Sequence, residues 1–261
     1  MLKINRQKAS VQNLPDRKAM IFAAGMGTRL KPLTDNLPKA LVPFVGKPIL
    51  EHLINKLKRS GFTQIVINVH HFADMIIDFL KQKHNFGIDI YISDERDCLL
   101  DTGGGIKRAA KFLQGEEPFL VHNVDIISNA DLNNIYEKHC AENSFATLLV
   151  SIRKASRCLL FNVDNKLCGW QNKLTNELKW SNAQFPYNEC TAYAFGGIHV
   201  ISPEIFNCFD NYPEIFSIID FYLSQSQTKD ISAYVSQHLR LIDVGKQETL
   251  LRAEKEYSDL I

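Results

Sequence analysis

An apolar segment that runs straight into a glycine-rich, donor-rich loop constrains this chain more than any other feature. Ala19-Met20-Ile21-Phe22 has the length and composition of a buried parallel strand, and Ala23-Ala24-Gly25-Met26-Gly27-Thr28-Arg29-Leu30 follows it directly. Two glycines let the backbone turn tightly, so that successive N–H groups can face one anion. Thr28 adds a hydroxyl and Arg29 a planar, permanently charged fork suited to phosphate oxygens. Pro32-Leu33-Thr34 and Pro38-Lys39 continue the run, and Lys39 brings a second cation on a flexible stem. No carboxylate intervenes before Asp35. A loop of this composition is suited to gripping a polyphosphate.

Two common phosphate loops are excluded. A dinucleotide fingerprint needs a third glycine where Arg29 and Leu30 stand, and a P-loop needs Gly-Lys-Ser/Thr, which is absent. An ordinary glycine turn would account for Gly25-Met26-Gly27 but not for Arg29, the prolines and Lys39 together.

The rest of the chain alternates. Strand-like runs cover 19–24, 65–69, 88–92 and 119–123. Between them Ile49, Leu50, Leu53, Ile54 and Leu57 share one helical face, as do Met75, Ile76, Phe79 and Leu80. Further helices are expected over 106–113 and 132–142. Strands separated by helices imply right-handed crossovers and a mainly parallel sheet. The second half differs: strands at 146–152 and 192–201, a hairpin of 159–163 and 166–170 around Asp164-Asn165, and closing helices near 213–223 and 247–257. Gly196-Gly197 inside a strand predicts a bulge or the close approach of a ligand. The expected organisation is a polar extension over 1–17 and one α/β domain over 18–261. Its mixed, mainly parallel central sheet is flanked by helices, with a nucleotide-binding half at 18–145 and a second half at 146–261.

These 261 residues, 45% hydrophobic and 23% charged, can bury a substantial core. A net charge of +1 points to neither a nucleic-acid nor a membrane partner, so anion binding must come from local clusters. Six scattered cysteines without metal spacing read as reduced thiols of a cytoplasmic protein, and no segment reads as a signal peptide or membrane span.

The pattern Gly25-x-Gly27-Thr28-Arg29, Pro32-Leu33-Thr34 and Pro38-Lys39 resembles the signature of the sugar-1-phosphate nucleotidyltransferases, or nucleotide-sugar pyrophosphorylases. The resemblance extends through Asp101-Thr102-Gly103-Gly104-Gly105-Ile106, Asp125 and Ile242-Asp243-Val244-Gly245, nearly the whole chain after residue 17. It is nearest to short members such as N-acetylmuramate-1-phosphate uridylyltransferases and mannose- or heptose-1-phosphate guanylyltransferase-like proteins. It implies a Rossmann-like nucleotidyltransferase fold and an enzyme that condenses a nucleoside triphosphate with a sugar 1-phosphate, releasing pyrophosphate with the help of Mg²⁺. The base, U, G, C or dT, and the sugar stay open.

Such a reaction needs no general base, because the attacking phosphate is already ionised; it needs anions brought together and charge neutralised. Arg29 suits the departing pyrophosphate and Lys39 the α-phosphate or the incoming phosphate. Asp125, at the end of an apolar strand, and Asp243, flanked by apolar residues, match the metal-binding aspartates of the family. Ala23, Ala24, Gly25, Gly27 and Thr28 are expected on the nucleotide, together with Thr102, Gly103 and Gly104 in a loop before the helix at Ile106.

Val124 replaces the glycine that many relatives carry before Asp125, leaving Asn123 to present its amide to a sugar or ribose, with Gly197 beside it. Lys173 resembles the lysine of the family's Glu-Lys pair, which contacts the sugar phosphate, although Asn172 replaces the glutamate. No glutamine occupies the usual base-reading position, where Glu95 and Arg96 are the nearby candidates. His122 reads as a packed strand residue, and His70-His71 as structural, since adjacent strand side chains face opposite ways.

The alternatives are a cytidylyltransferase acting on a small phosphorylated alcohol such as phosphocholine, a glycosyltransferase, and a non-catalytic sensor. The typical glycosyltransferase metal triplet Asp-x-Asp is absent, and a sensor would have lost Arg29, Lys39 or an aspartate.

Overall fold

The structure is a computed structural model, and it describes residues 16–181 and 186–261. The extension expected over 1–17 lies outside the described residues up to residue 15. Its last two residues are bound into the domain: Arg17 lies over the Tyr136 ring at 4.8 Å, and Asp16 accepts from Thr63 and Gln64.

The first half is a parallel layer. Strand β1 (Lys18–Phe22) is followed by a two-residue ribbon, β2 (Pro43–Phe44) and β3 (Lys47–Pro48), and by helix α1 (Ile49–Arg59). Next come β4 (Gln64–Val69), α2 (Ala73–Gln82), β5 (Asp89–Asp94), α3 (Asp101–Arg108), α4 (Ala110–Leu113) and β6 (Phe119–Asn123). Strands β6, β1, β4 and β5 lie side by side, all parallel. Register sets Phe22 between Asn68 and Asn123, so the three chains leave the sheet together at their carboxyl ends. In open α/β sheets, that edge is where ligands bind.

The second half is mostly antiparallel. It comprises β7 (Ile126–Ser128), α5 (Leu132–Glu142), β8 (Ala146–Ser151), β9 (Arg157–Phe161), β10 (Leu167–Asn172), β11 (Glu177–Trp180), β12 (Thr191–Ile201), α6 (Ile218–Gln225), β13 (Ile231–Val235), β14 (Leu241–Asp243) and α7 (Gln247–Glu256). The long β12 is the seam, pairing antiparallel with β6, β8 and β9. Its register slips between Phe195 and His199, and Gly197 takes a φ of 68°; this is the bulge expected at Gly196-Gly197.

Alternate residues of β1 feed two cores. Ile21 joins Leu53, Leu57, Ile76 and Ile135 on one face, and Met20 joins Ile106, Leu113, Phe221 and Tyr222 on the other. The mixed central sheet flanked by helices is the expected architecture. Among the described residues no helix is long and apolar enough to cross a membrane.

One boundary differs in a way that matters. Helix α3 begins at Asp101, not Ile106, so Gly103 to Gly105 are helical rather than loop. A Cβ on Gly103 would strike the Phe216 ring, and one on Gly104 would strike the Glu214 carbonyl. The glycines are there because another stretch of backbone packs directly on the helix.

Candidate active site

Strand β1 ends where its ladder is replaced by a side chain. The Ala23 and Ala24 N–H groups donate to Asn68 Oδ1, at 2.7 and 3.3 Å, so both are engaged by β4. The chain then turns at Gly27, whose φ of 66° favours glycine and whose Cβ would crowd Thr34 and Lys39. Thr34 Oγ1 donates to the Gly27 carbonyl at 2.8 Å, and buried Leu30 anchors the turn. Gly25 is different: nothing lies within 4 Å of where its Cβ would be, and it faces an open cleft.

Two carboxylates meet this loop. Asp125 follows β6, and β14 pairs antiparallel with β7 so that Asp243 stands opposite Ile126. Val244 N–H donates to the Asp125 carbonyl at 2.9 Å, and Gly245 N–H to Asp243 Oδ1 at 2.7 Å. A Cβ on Gly245 would sit 2.7 Å from Asp243 Oδ1, 2.9 Å from Arg29 Nη2 and 3.0 Å from Asp125 Oδ2. These three side chains therefore converge on one point, and only glycine leaves them room. Arg29 Nη2 lies 3.8 Å from Asp243 Oδ2, and Lys39 forms an ion pair with Asp125.

Asp125 is only 8% exposed. Burial pushes its pKa up, Lys39 pulls it down, and the Asp243 charge pushes it up again. Two hard oxygen donors, one in the turn between β6 and β7 and one on β14, repel one another and fit a Mg²⁺ ion, which characteristically binds one or two carboxylates and keeps several waters. Among the described residues no group of three or more His, Cys, Asp or Glu side chains is placed to hold a metal ion.

The cleft, about 510 Å³, is lined by Ala24, Gly25, Lys39, Asn123 and Asp125, and further in by Asn68, Glu95 and Thr102. Glu95 is fully buried. Its Oε1 accepts from Asn68 Nδ2 at 2.8 Å, while Oε2 has no hydrogen-bond partner among the described residues. Burial raises its pKa, opposed by Asn68 and the Leu100 backbone. Arg96 turns away, held by Asp94 at 2.6 Å and Asp74 at 3.1 Å. Exposed Leu99 and Ile215 supply apolar surface at the same cleft.

The structure thus brings Arg29, Lys39, Asp125 and Asp243 together, and sets Gly25, Thr102 and Asn123 on the cleft wall. Several of the other expected residues have partners within the protein. The Ala23 and Ala24 N–H groups are engaged by Asn68. Gly103 and Gly104 donate theirs to the Phe216 carbonyl at 2.9 and 3.3 Å, which joins α3 to the 214–216 segment. Gly197 is buried and packs on Asn123, since a Cβ there would lie 2.8 Å from Asn123 Nδ2. Lys173 lines a depression with Gln171, Asn176 and Tyr187, and is not among the residues lining the cleft at Asp125. Thr28 opens the short helical turn that carries Arg29.

His122 is packed as expected, its Nδ1 on the Asn123 carbonyl and its pKa pushed down to about 3 by burial. Asn68 is the residue that sequence reasoning missed. The signal was there: one amide inside the apolar run Ile65-Val66-Ile67-Asn68-Val69, level with Phe22.

The nucleotidyl transferase family model matches residues 18–158. The chain is 46% identical over 111 residues to an N-acetylmuramate alpha-1-phosphate uridylyltransferase of Caulobacter vibrioides, covering 42% of this chain and 46% of that one. It is 42% identical over 120 residues to the protein of the same name from Neisseria meningitidis, covering 46% and 52%. The chain therefore spans about half the length of these curated relatives. Among solved structures, UDP-glucose pyrophosphorylase from Acinetobacter baumannii superposes with a TM-score of 0.74 at 19% identity, over 94% of this chain and 95% of that one, a likeness of fold.

Proposed function

The chain belongs to the nucleotidyl transferase family, and from that premise we propose that it joins a nucleoside triphosphate to a sugar 1-phosphate, forming a nucleotide sugar and pyrophosphate. The observation that carries this reading is the convergence of Asp125, Asp243 and Arg29 around Gly245, with Lys39 on Asp125, beside a glycine loop open to the cleft.

The chemistry asks little of a base. A phosphate oxygen of the sugar 1-phosphate forms a bond to the α-phosphorus as the bond to the bridging oxygen breaks and pyrophosphate leaves. The second ionisation of a phosphate monoester lies near pH 6, so the nucleophile arrives charged. The protein's task is to align anions and offset charge that grows on the leaving group. Gly25 and Thr28 admit the triphosphate. Arg29 grips the β- and γ-oxygens with a bidentate fork. Lys39 exchanges its contact with Asp125 for the α-phosphate. Asp125 and Asp243 would hold Mg²⁺, which when bound supplies charge neutralisation at the reacting phosphates. Glu95 and Thr102 flank the base, and Asn123 the ribose or sugar. A cytoplasmic setting is proposed from the scattered spacing of the six cysteines.

UTP with N-acetylmuramate 1-phosphate is the first pair to assay, because it matches the names of two of the most similar relatives. A decisive experiment runs the reaction backward. Nucleotide sugars are incubated with labelled pyrophosphate and Mg²⁺, and label is followed into nucleoside triphosphate. One phosphoanhydride is exchanged for another, so both directions are accessible. A glycosyltransferase releases nucleoside diphosphate and ignores pyrophosphate, and a sensor does neither. Absence of labelled triphosphate across UDP-, GDP-, CDP-, ADP- and dTDP-sugars would reject the reading.

A further inference from the structure

We propose that Arg153 is the residue that receives the phosphate of the acceptor, a role that the family resemblance implies for Lys173. The inference rests on the nucleotidyltransferase reading and identifies where the second substrate's charge is held.

Topology supplies the first step. Strand β12 is antiparallel to both β6 and β8, so β6 and β8 run the same way and end on the same edge of the sheet. Asp125 comes two residues after the end of β6, and Arg153 two residues after the end of β8. The segment carrying Arg153 belongs to the antiparallel half, whereas Gly25 to Arg29 follow β1. A cation on that opposite side is suited to the molecule that approaches the triphosphate, not to the triphosphate itself.

Local geometry supplies the second step. Arg153 Nη2 donates to the Phe195 carbonyl at 2.7 Å. Phe195 is the residue at which β12 begins its bulge, and the bulge carries Gly197 against Asn123 on the cleft wall. One arm of the guanidinium is thereby fixed, and its remaining N–H groups are available for an anion. The side chain is partly desolvated, which lowers its pKa, and Asp243 is the first charge opposing that shift. Among the described residues Arg153 has no carboxylate within ion-pair distance, whereas Lys39 has Asp125 and Arg29 has Asp243.

Lys173 serves this arrangement through its backbone. Its N–H donates to the Ser156 carbonyl at 2.7 Å and so ties down the loop on which Arg153 stands.

The test compares Arg153→Ala and Arg153→Lys with Lys173→Ala and with Lys154→Ala, a neighbouring charge on the same loop. Pyrophosphate release is measured for wild-type protein against a panel of sugar 1-phosphates and triphosphates. KM is then determined separately for each substrate of the working pair. Losing a charge-assisted contact predicts an acceptor KM raised about 10- to 100-fold in Arg153→Ala, with the triphosphate KM within about twofold of wild type. Arg153→Lys should recover part of the loss, as should added guanidinium ion with Arg153→Ala; neither rescue is expected of a purely structural role. Lys154→Ala and Lys173→Ala should leave the acceptor KM within about threefold. An unchanged acceptor KM in Arg153→Ala, an equal rise in the triphosphate KM, or a larger acceptor defect in Lys173→Ala overturns the proposal. Wild-type protein that releases no pyrophosphate from any pair overturns the underlying reading, and that result is seen before any variant is assayed.

Discussion

Asp125 and Asp243 carry equal formal charge in unequal surroundings, and their variants should part company accordingly. Asp125 is buried with Lys39 against it; Asp243 shares an exposed, longer contact with Arg29. Asp243→Asn removes a pair worth about 0–1 kcal/mol to stability, so its melting temperature should match wild type. Asp125→Asn leaves Lys39 unpaired in a buried place, at a cost on the order of 3 kcal/mol. Both should lose transfer activity by a factor on the order of 10² or more, because each would supply one of the two carboxylates proposed to hold the metal. Near-native turnover of either variant at low Mg²⁺ would refute the metal assignment. Arg29→Lys keeps charge and loses the fork. Its kcat should fall on the order of 10²-fold with melting unchanged, since the contact strengthens as charge develops on the leaving group. A normal kcat with a raised triphosphate KM would make Arg29 a uniform binder instead.

Two glycines show what separates a ligand-facing element from a packed one. Gly25 lies between β1 and the turn at Gly27, with open cleft beside it and a φ outside the left-handed region. Gly25→Ala should fold and melt as wild type while weakening triphosphate binding, because the added methyl projects into the cleft. Gly104 lies inside α3 with the Glu214 backbone packed on it. Backbone cannot move aside cheaply, so Gly104→Ala should destabilise the protein by about 1–3 kcal/mol in chemical denaturation. The segment it displaces carries Ile215, on the cleft wall, and leads into α6, whose Ile218 N–H is bonded to Thr102 at 3.0 Å. If the Gly104 variant instead kept full stability and lost only nucleotide binding, the helix would be a ligand loop after all.

Across the whole molecule, three buried histidines join the layers as neutral groups. His122 bonds the Asn123 carbonyl, His199 bonds Tyr222 Oη at 2.7 Å, and His139 bridges Thr147 and Ser202. Burial lowers their pKa values to about 3, about 3 and about 4. Each has a folded pKa below its unfolded one, so between those values the unfolded chain binds more protons and stability falls as pH falls. The loss should begin below about pH 6.5, each histidine adding up to about 1.4 kcal/mol per pH unit. Urea midpoints measured from pH 7 to pH 4.5 would show this slope, and His199→Phe should flatten it by roughly one third. A midpoint constant over that range would mean these histidines can be protonated in the folded protein.

How much of this was legible in the sequence depends on how local the cause is. Helices α1, α2 and α5 were readable because each apolar face repeats within a few residues, and β1 with its loop because the glycines, Arg29 and Lys39 stand within one short stretch. Asp125 and Asp243 could be singled out from the residues around them. That they meet at Gly245 follows from the pairing of β7 with β14, a contact across more than a hundred residues that leaves no mark on either segment alone. The start of α3 at Asp101 was hidden for the same reason: a glycine run permits close approach but does not say by what, and here the 214–216 segment packs on it. Asn68 and Glu95 acquire their places only because register sets β4 beside β1 and sends β5 out next to it. Composition and spacing determined which groups this chain has for handling phosphate. Strand order and packing decided which of those groups face the cleft, because backbone N–H groups and side chains already satisfied by the protein are not free to hold a ligand.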